Sequence, residues 1–277
     1  MESGAGVYGL NVLGLGDVSR FSSDPLPGSP QLEIRQRLGV APPDAESRLF
    51  DDRAVIPLIE NGLLEVFRDP AVASFTMPRT LSDDELLHPW LVPAAATVSA
   101  WHGRRVMHGG LVGNGEKAIA IVGDKEGGKS TLLAWLAFEA GLRVMCDDLV
   151  VLEDDHVFAG PACIDLRPGS VSHLPDVVGS TLVRDGTRLR VPLPKTPAIA
   201  EFMGVIVLEW SDRTAMPAVP PGERLTRVLP HALVEGIPLG VTGVLGFAQY
   251  RMWRLTRPKK WESLDAAATM VQDLLES

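Results

Sequence analysis

The amino-acid sequence predicts a mixed α/β fold, and three observations support this prediction. Residues 118–122 are apolar, residues 123–130 are rich in glycine, and residues 131–138 have helical spacing, so together they read as strand, loop and helix. Short apolar runs separated by Asn-Gly or Asp-Gly pairs fill much of the remaining chain, as in β-hairpins. Residues 202–210 are almost continuously apolar, which is typical of a strand buried on both faces. We therefore expect a mixed sheet flanked by helices.

The first part of the chain is predicted to form a smaller α+β region. Residues 1–50 are rich in Gly, Pro and Ser, and residues 31–38 are expected to form a short helix within them. The elements predicted after this segment are a hairpin of residues 54–59 and 62–67 around Asn61-Gly62, a helix that starts at Ser82, and an Ala-rich helix at residues 92–101. We assign residues 1–104 to this region, with acceptor recognition or assembly as candidate roles, and residues 105–277 to the main domain.

A β-hairpin is predicted immediately before the glycine-rich loop. Residues 106–112 and 117–122 flank Asn114-Gly115, a pair that favours a tight turn. His108 lies on the first of these strands, so we expect it to lie near the loop that follows the second.

The loop itself reads G-x-x-x-x-G-K-S, the pattern of a phosphate-binding loop in its strand-loop-helix setting. Backbone amides and the positive end of the following helix converge on one anionic group, and glycines let the main chain approach it. We expect Lys129 to bridge the β- and γ-phosphates of a nucleotide and the Ser130 hydroxyl to bind Mg²⁺. The alternative is an accidental glycine-rich turn. The predicted nucleotide-binding residues are Gly123, Asp124, Lys125, Glu126, Gly127, Gly128, Lys129, Ser130 and Thr131.

Two adjacent carboxylates follow the next predicted strand. Residues 142–146 lead as a strand into Asp147-Asp148, and residues 149–152 are expected to continue it. Beside a phosphate loop, such a pair can hold Mg²⁺ directly or through water, and it can accept a proton from an attacking hydroxyl. We take Asp147 as the candidate metal ligand; the alternative for the pair is a solvated turn.

The remaining elements complete the fold prediction. They are a hairpin of residues 180–183 and 188–191, a helix at residues 221–234, a strand at residues 250–255, and a last helix at residues 264–275 capped by Ser263. Weaker candidates for anion binding are Arg167, Lys195, Arg254 and Arg257, for which exposed charge is the alternative.

Composition narrows the class of protein. The net charge of −9 argues against nucleic acid as the main partner, because phosphate-backbone binding needs a basic face. The chain has no apolar stretch long enough for a membrane helix, so we expect no membrane partner, and its N-terminal residues lack a secretion signal, which predicts a cytoplasmic protein. Its two cysteines, Cys146 and Cys163, exclude a disulfide framework and are expected to be buried thiols. His88, which precedes Pro89, is expected to be structural.

Three motifs in order make the chain resemble a known family. His108-Gly109, the loop, and Asp147-Asp148 beyond its helix resemble the core of bacterial HPr serine kinase/phosphorylase and of its smaller homologues, such as the lasso-peptide kinases. The resemblance covers roughly residues 75–170 and implies the mixed-sheet P-loop core that phosphoenolpyruvate carboxykinase also has. Beyond residue 202 it is a similarity of pattern only.

The resemblance also implies roles for individual residues. Lys129 and Ser130 would hold phosphates and metal, Asp148 or Asp147 would be the base that deprotonates a substrate serine, and His108 would lie beside the reacting phosphoryl group. A hydrogen-bonded core histidine is the alternative for His108. The chain has Lys125-Glu126 where that family usually has Ser-Gly, and it lacks the glycine-rich signature of the phosphorylase activity, so a reversible kinase/phosphorylase is not expected.

These observations lead to a main functional hypothesis and two alternatives. The main one is a kinase that uses ATP and Mg²⁺ and phosphorylates a hydroxyl, with a serine of a small protein or peptide as acceptor. The first alternative is a nucleotide-binding regulatory or scaffold protein that transfers nothing, and the second is a small-molecule kinase or carboxykinase of the same fold. A homo-oligomer is a possible assembly for each.

Overall fold

The computed structural model describes residues 4–174, 179–184, 186–231 and 241–277, which form an α/β fold containing three sheets. For residues 241–244 it describes the backbone only. The first sheet has seven strands in the order β1-β2-β3-β7-β6-β5-β4. Its strands are β1 (Ala5–Val7), β2 (Leu10–Leu13), β3 (Gln31–Leu38), β4 (Arg48–Leu49), β5 (Arg53–Leu58), β6 (Gly62–Arg68) and β7 (Ala71–Met77).

The first sheet corrects one prediction and confirms another. Residues 31–38 are the strand β3, not a helix, and β3 runs parallel to both β2 and β7. Leu32 and Ile34 are buried while the residues around them are more exposed, which is the alternation of a half-buried strand. The hairpin around Asn61-Gly62 forms as predicted, from β5 and β6.

Two helices connect this sheet to the next one. α1 (Asp83–Glu85) begins after Ser82, whose hydroxyl accepts a hydrogen bond from the amide of Glu85 while the Glu85 carboxylate accepts one from the amide of Ser82. The segment Leu86–Trp90 then carries His88 in an extended conformation before α2 (Leu91–Trp101). Both predicted helix positions are therefore confirmed.

The second sheet has eight strands, and six of them follow α2 directly in the chain. In chain order they and their helix are β8 (Arg105–His108), β9 (Gly110–Gly113), β10 (Lys117–Gly123), α3 (Lys129–Phe138), β11 (Arg143–Cys146), β12 (Leu149–Glu153) and β13 (His156–Phe158). The other two are named below. Two antiparallel strand pairs bring these segments together: β9 pairs with β11, and β8 pairs with β12. The chain bends at Gly109, between β8 and β9, and opposite this point it bends again at Asp147-Asp148, between β11 and β12.

These bends correct two predictions about single strands. Only β9 pairs with β10, whereas β8, which carries His108, pairs with β12. Residues 149–152 do not continue the strand of residues 143–146 in line, since Asp147-Asp148 separates β11 from β12. The close packing of β9 against α3 and β11 requires a glycine at position 110, because a Cβ there would lie 2.3 Å from Leu133 Cδ1 and 3.0 Å from the Cys146 carbonyl oxygen.

A third, smaller sheet precedes the end of the chain, where the second sheet is completed. The elements are β14 (Cys163–Leu166), α4 (Pro168–Val171), β15 (Thr181–Val183), β16 (Arg188–Pro192), β17 (Ile199–Trp210), α5 (Pro221–Val228), α6 (Val241–Ala248), β18 (Arg251–Arg257) and α7 (Ser263–Glu276). The hairpin of β15 and β16 is confirmed, and β17 lies between β10 and β18, parallel to both, as expected of a central strand.

Two helix predictions at this end need correction. α5 stops at Val228, with a short turn at Leu229–His231, and the rest of the predicted helix at 232–234 lies outside the described residues. Ser263 starts α7 but does not cap it, because its hydroxyl donates to the carbonyls of Pro258 and Lys260.

Hydrophobic residues cover both faces of the second sheet. Ile119, Ile121 and Leu208 face α3 and α7, whereas Val122 and Val205 belong to a larger core that reaches α2 and the first sheet. β10 and β17 are therefore buried on both sides, which explains their continuous apolar runs. Cys146 and Cys163 are buried free thiols, as predicted. No helix of the described ranges is long and apolar enough to cross a membrane.

Candidate functional site

The glycine-rich loop lies between the end of β10 and the start of α3, as the sequence predicts. Gly128 precedes the helix with φ 84°, a left-handed conformation that favours glycine. Within the described chain, no side chain caps the first amides of α3. The ten-residue helix thus presents uncapped N–H groups and the positive end of its dipole beside Gly123 and Gly127.

Lys129 is folded back across this loop. Its Nζ donates to the carbonyl oxygens of Gly123, at 2.7 Å, and Asp124, at 3.3 Å. Burial lowers the pKa of the Lys129 amine, while the nearby carboxylates of Asp147 and Asp148 act in the opposite direction. The loop therefore holds a half-buried cation close to the uncapped amides.

Ser130 and Asp147 meet directly. The Ser130 hydroxyl donates to Asp147 Oδ1 at 3.0 Å, and Asp147 is 5% exposed. Burial, with Asp148 next to it, raises the pKa of Asp147 well above the usual carboxyl value. A hydroxyl and a carboxylate oxygen in contact are ligands that Mg²⁺ prefers. The next hydroxyl, Thr131 Oγ1, lies 3.4 Å from Ser170 Oγ and so faces α4.

Asp148 is more accessible than its neighbour. Its side chain is 25% exposed, and its Oδ2 lies 3.7 Å from His88 Nε2 and 3.9 Å from Arg184 Nη2. Of the two carboxylates, Asp147 is thus bound to Ser130 and enclosed, while Asp148 can be reached by another molecule.

His108 reaches the acidic pair through the backbone. Its Nδ1 is 2.9 Å from the carbonyl oxygen of Asp148, because Leu149 and His108 are paired across β12 and β8. The sequence placed His108 beside the loop through a hairpin with β10; the structure instead places it beside Asp148 through β12. The contact orients His108 relative to the acidic pair without involving either carboxylate.

A buried charged group behind Asp148 was not predicted from the sequence. Asp165 accepts hydrogen bonds from Arg190 Nε at 2.9 Å and from Arg184 Nε at 3.1 Å, and its Oδ2 lies 3.6 Å from His88 Nε2. Burial alone would raise the pKa of Asp165, but His88 and the two guanidinium groups hold it below its usual value. His88 is 2% exposed, and neither ring nitrogen has a hydrogen-bond partner among the described residues. It lies between the carboxylates of Asp148 and Asp165, and the structural role expected for it stays a prediction.

The Lys125-Glu126 pair, where the resembled family usually has Ser-Gly, places a charged residue in contact with Arg167. Glu126 has φ 65°, so a charged side chain occupies a left-handed position that glycine would adopt more easily. The Glu126 carboxylate pairs with Arg167 at 2.5 Å, and this exposed contact joins the loop to the start of α4. Lys125, the residue before Glu126, is exposed, and so is Lys195, one of the weaker candidates for anion binding.

Arg257, another of the weak candidates for anion binding, also lies beside the loop. It is 3% exposed, its guanidinium lies 4.4 Å from the centre of the Trp210 ring, and a Cβ on Gly128 would be 2.6 Å from its Nη2. No carboxylate among the described residues pairs with it, and its Nε has no partner there. Burial lowers the pKa of Arg257 to about 10, so it is still a cation at neutral pH.

The described residues include no group of three or more His, Cys, Asp or Glu side chains arranged for a metal. Mg²⁺ usually keeps several waters and takes one or two carboxylates plus substrate phosphates. Ser130 and Asp147 supply such a partial set.

Comparisons with known proteins give little beyond this geometry. No family model and no curated protein matches the chain. Among solved structures, the chain is similar to the Hpr(Ser) kinase/phosphatase from Coxiella burnetii, with 11% sequence identity and a TM-score of 0.29, over 62% of this chain and 97% of that one. A likeness of this size carries no argument, so the functional conclusions rest on the residues described above.

Proposed function

We propose that the protein is a kinase that uses ATP and Mg²⁺ to phosphorylate a hydroxyl, with a serine of a small protein or peptide as the acceptor. The observation that carries the proposal is the contact of Ser130 with Asp147 at the start of α3, next to Lys129 and the uncapped amides. These groups match what a nucleotide and its metal require: amides and an amine for phosphate, and a hydroxyl with a carboxylate for Mg²⁺. The motif resemblance to serine kinases agrees with this choice.

Each residue has a defined task in the proposed reaction. The α3 amides and Lys129 bind and orient phosphate oxygens, and Ser130 with Asp147 would hold Mg²⁺. When bound, ATP with its metal supplies the phosphoryl group and the neutralisation of its charge. Asp148, the accessible carboxylate, would receive the proton of the acceptor hydroxyl. His88 Nε2 and Arg184 Nη2 lie 3.7 Å and 3.9 Å from Asp148 Oδ2 and are its polar neighbours, without a hydrogen bond to it.

Two variants separate binding from transfer. Lys129→Ala should weaken ATP binding at least about tenfold, measured by titration calorimetry, because a charge-assisted contact to phosphate is worth more than about 1.4 kcal/mol. Asp148→Asn should keep ATP affinity and lose transfer of labelled phosphate to the acceptor by about a hundredfold or more. The matched control is Lys117→Ala, because Lys117 is a lysine at the start of β10, the opposite end of that strand from the loop.

Two results would contradict the proposal. Unchanged ATP affinity in Lys129→Ala would remove the nucleotide site, and full transfer activity in Asp148→Asn would remove the assigned base. If ATP binds but is never used, the chain is a nucleotide-binding regulator. The strained Glu126 and its contact with Arg167 favour that second candidate, since they tie the loop to α4.

A further inference from the structure

A cleft of about 500 Å³ lies between the N-terminal region and the hairpin of β15 and β16. Arg20, Arg79 and Ser82 line it from one side, and Leu182 and Arg184 line it from the other. The volume falls in the range of sites that take small molecules or short peptide segments, about 300–1,000 Å³.

One wall of the cleft is the edge of a sheet. The third sheet has the order β14-β16-β15, so β15 is its last strand, and no other strand of the described chain pairs with it. All of β15 lines the cleft, and Thr181 and Leu182 are exposed. An edge strand of this kind offers main-chain N–H and C=O groups to an extended peptide.

The side chains in the cleft leave hydrogen-bond donors unused. Among the described residues, the Arg20 guanidinium donates to Asp84 alone, through Nη2. The Arg79 guanidinium donates to Glu85 and Glu60 through two of its nitrogens. Each guanidinium has five N–H donors, so most of those on Arg20 remain available. The two carboxylates that line the cleft, on Asp84 and Glu85, are already paired with these arginines, and both are less exposed than the arginine with which they pair. The unused N–H donors of the cleft therefore favour a ligand with many hydrogen-bond acceptors, such as an acidic one.

Arg184 connects the cleft to the candidate base. It lines the cleft, its Nε bonds Asp165, and its Nη2 is 3.9 Å from Asp148 Oδ2. Its φ of 52° is a left-handed conformation that costs a non-glycine residue free energy, and residues held this way cluster at functional sites. A ligand in the cleft thus contacts a side chain that also contacts the acidic pair.

We propose that this cleft is the acceptor site, and that it binds an acidic peptide segment as an additional strand on β15, which brings a serine hydroxyl to Asp148. The inference rests on the proposed kinase function and adds the location, conformation and charge of its acceptor. Main-chain contacts with β15 provide affinity, and Arg20 and Arg79 select acidic side chains.

The test uses the full chain and three blocked peptides of about nine residues, which in extended form are longer than the three-residue strand β15. The first has a central serine with glutamates at alternate positions, the second has lysines in place of the glutamates, and the third is the first with methylated backbone nitrogens. We expect the acidic peptide to bind at least about tenfold more tightly than the other two, and to be phosphorylated.

Variants then locate the binding. Arg20→Gln should raise the KM for the acidic peptide about threefold to tenfold while ATP affinity stays unchanged. Arg79→Gln should behave alike, and if it unfolds, as thermal melting would show, Arg20→Gln decides alone. Arg48→Gln is the control, because Arg48 is an exposed arginine paired with Glu46 and does not line the cleft.

The outcomes distinguish the two proposals. Equal affinity for all three peptides, or an unchanged KM in Arg20→Gln, would overturn the proposal that the cleft is the acceptor site, even if phosphate is transferred to the peptide. Phosphorylation of a small alcohol in place of any peptide also overturns it. Cleft-dependent peptide binding without any transfer would overturn the kinase proposal and leave the cleft as a peptide-binding site.

Discussion

At the scale of single residues, Asp147 is a buried carboxyl group whose surroundings disfavour its charged form. Below about pH 4, near the pKa of an unfolded carboxyl group, both the folded and the unfolded chain hold Asp147 protonated, and the pKa shift has no effect on stability. As the pH rises, the unfolded chain releases this proton first, because burial and Asp148 keep the folded pKa raised. The free energy of unfolding therefore falls as the pH approaches neutrality.

The variant Asp147→Asn should remove this loss of stability. It keeps an oxygen that accepts from Ser130, so the nucleotide-free protein should melt at least about 2 °C higher at neutral pH and no differently near pH 4. Melting curves from pH 4 to 7.5 measure this, with the exposed Asp124→Asn as control. Phosphate transfer should fall at the same time. A variant that melts lower than the parent at neutral pH would show that the charge of Asp147 is not a burden to the fold.

At the scale of elements, three parallel strands end together at the glycine-rich loop. β10 ends at Gly123, β17 at Trp210 and β18 at Arg257, and Trp210 is directly paired with Arg257. Ligands of α/β sheets bind at such carboxyl ends. β18 thus brings a buried cation to Gly128 from a position that is distant in sequence.

We predict that Arg257 contributes to nucleotide binding. Arg257→Gln should weaken ATP binding about tenfold, since a buried cation with free donors gains most from a phosphate partner. The control is Arg251→Gln, at the exposed start of the same strand. Calorimetric titration of both variants checks this. If Arg257→Gln lowers the melting temperature and keeps ATP affinity, Arg257 serves only to pack Trp210 and the start of α7.

The sequence predicted elements well where their partners are close in the chain. The hairpin of β5 and β6 and the cap at Ser82 depend on contacts a few residues apart. The prediction of a helix at residues 31–38 was wrong, because the partners of β3, the strands β2 and β7, lie far from it in the chain. The polar residues that follow Ile34 also hide the alternation of buried and exposed positions. The bend at Asp147-Asp148 depends on the opposite bend at Gly109, which no local pattern in either segment indicates.

At the scale of the whole molecule, Arg190 links the N-terminal region to the second half of the chain. It is 1% exposed and donates to Asp165, to the carbonyl oxygen of Asp84 at 2.8 Å and to that of His88. One hydrophobic core also runs through both segments. The candidate base, Asp148, is consequently in contact with a histidine from the N-terminal region.

Breaking this link should be costly. Arg190→Met leaves Asp165 without its main partner, and we expect a loss of about 3–5 kcal/mol in the free energy of unfolding. The double variant Asp165→Asn/Arg190→Met should recover part of that loss. Urea denaturation of the two single variants and the double variant gives the coupling energy. Additive effects would show that the pair does not act as a unit.

The loop could be predicted from the sequence because its strand, glycines and helix are contiguous. The network of His88, Asp165 and Arg190 could not, since it is assembled by pairing of β14 with β16 and by packing of the N-terminal region. A weak signal was present: Asp165 is the single charge within the apolar strand β14, which often indicates a buried charge with a partner.

The two buried thiols have a practical consequence for experiments. Burial raises the pKa of both Cys146 and Cys163, and neither side chain is accessible in the folded chain, so alkylating labels should leave the native protein unmodified. A cysteine introduced at an exposed position such as Leu182 would then be the single reactive thiol. A fluorophore or spin label placed there would report occupancy of the cleft in real time, without first rebuilding the interior to remove background labelling.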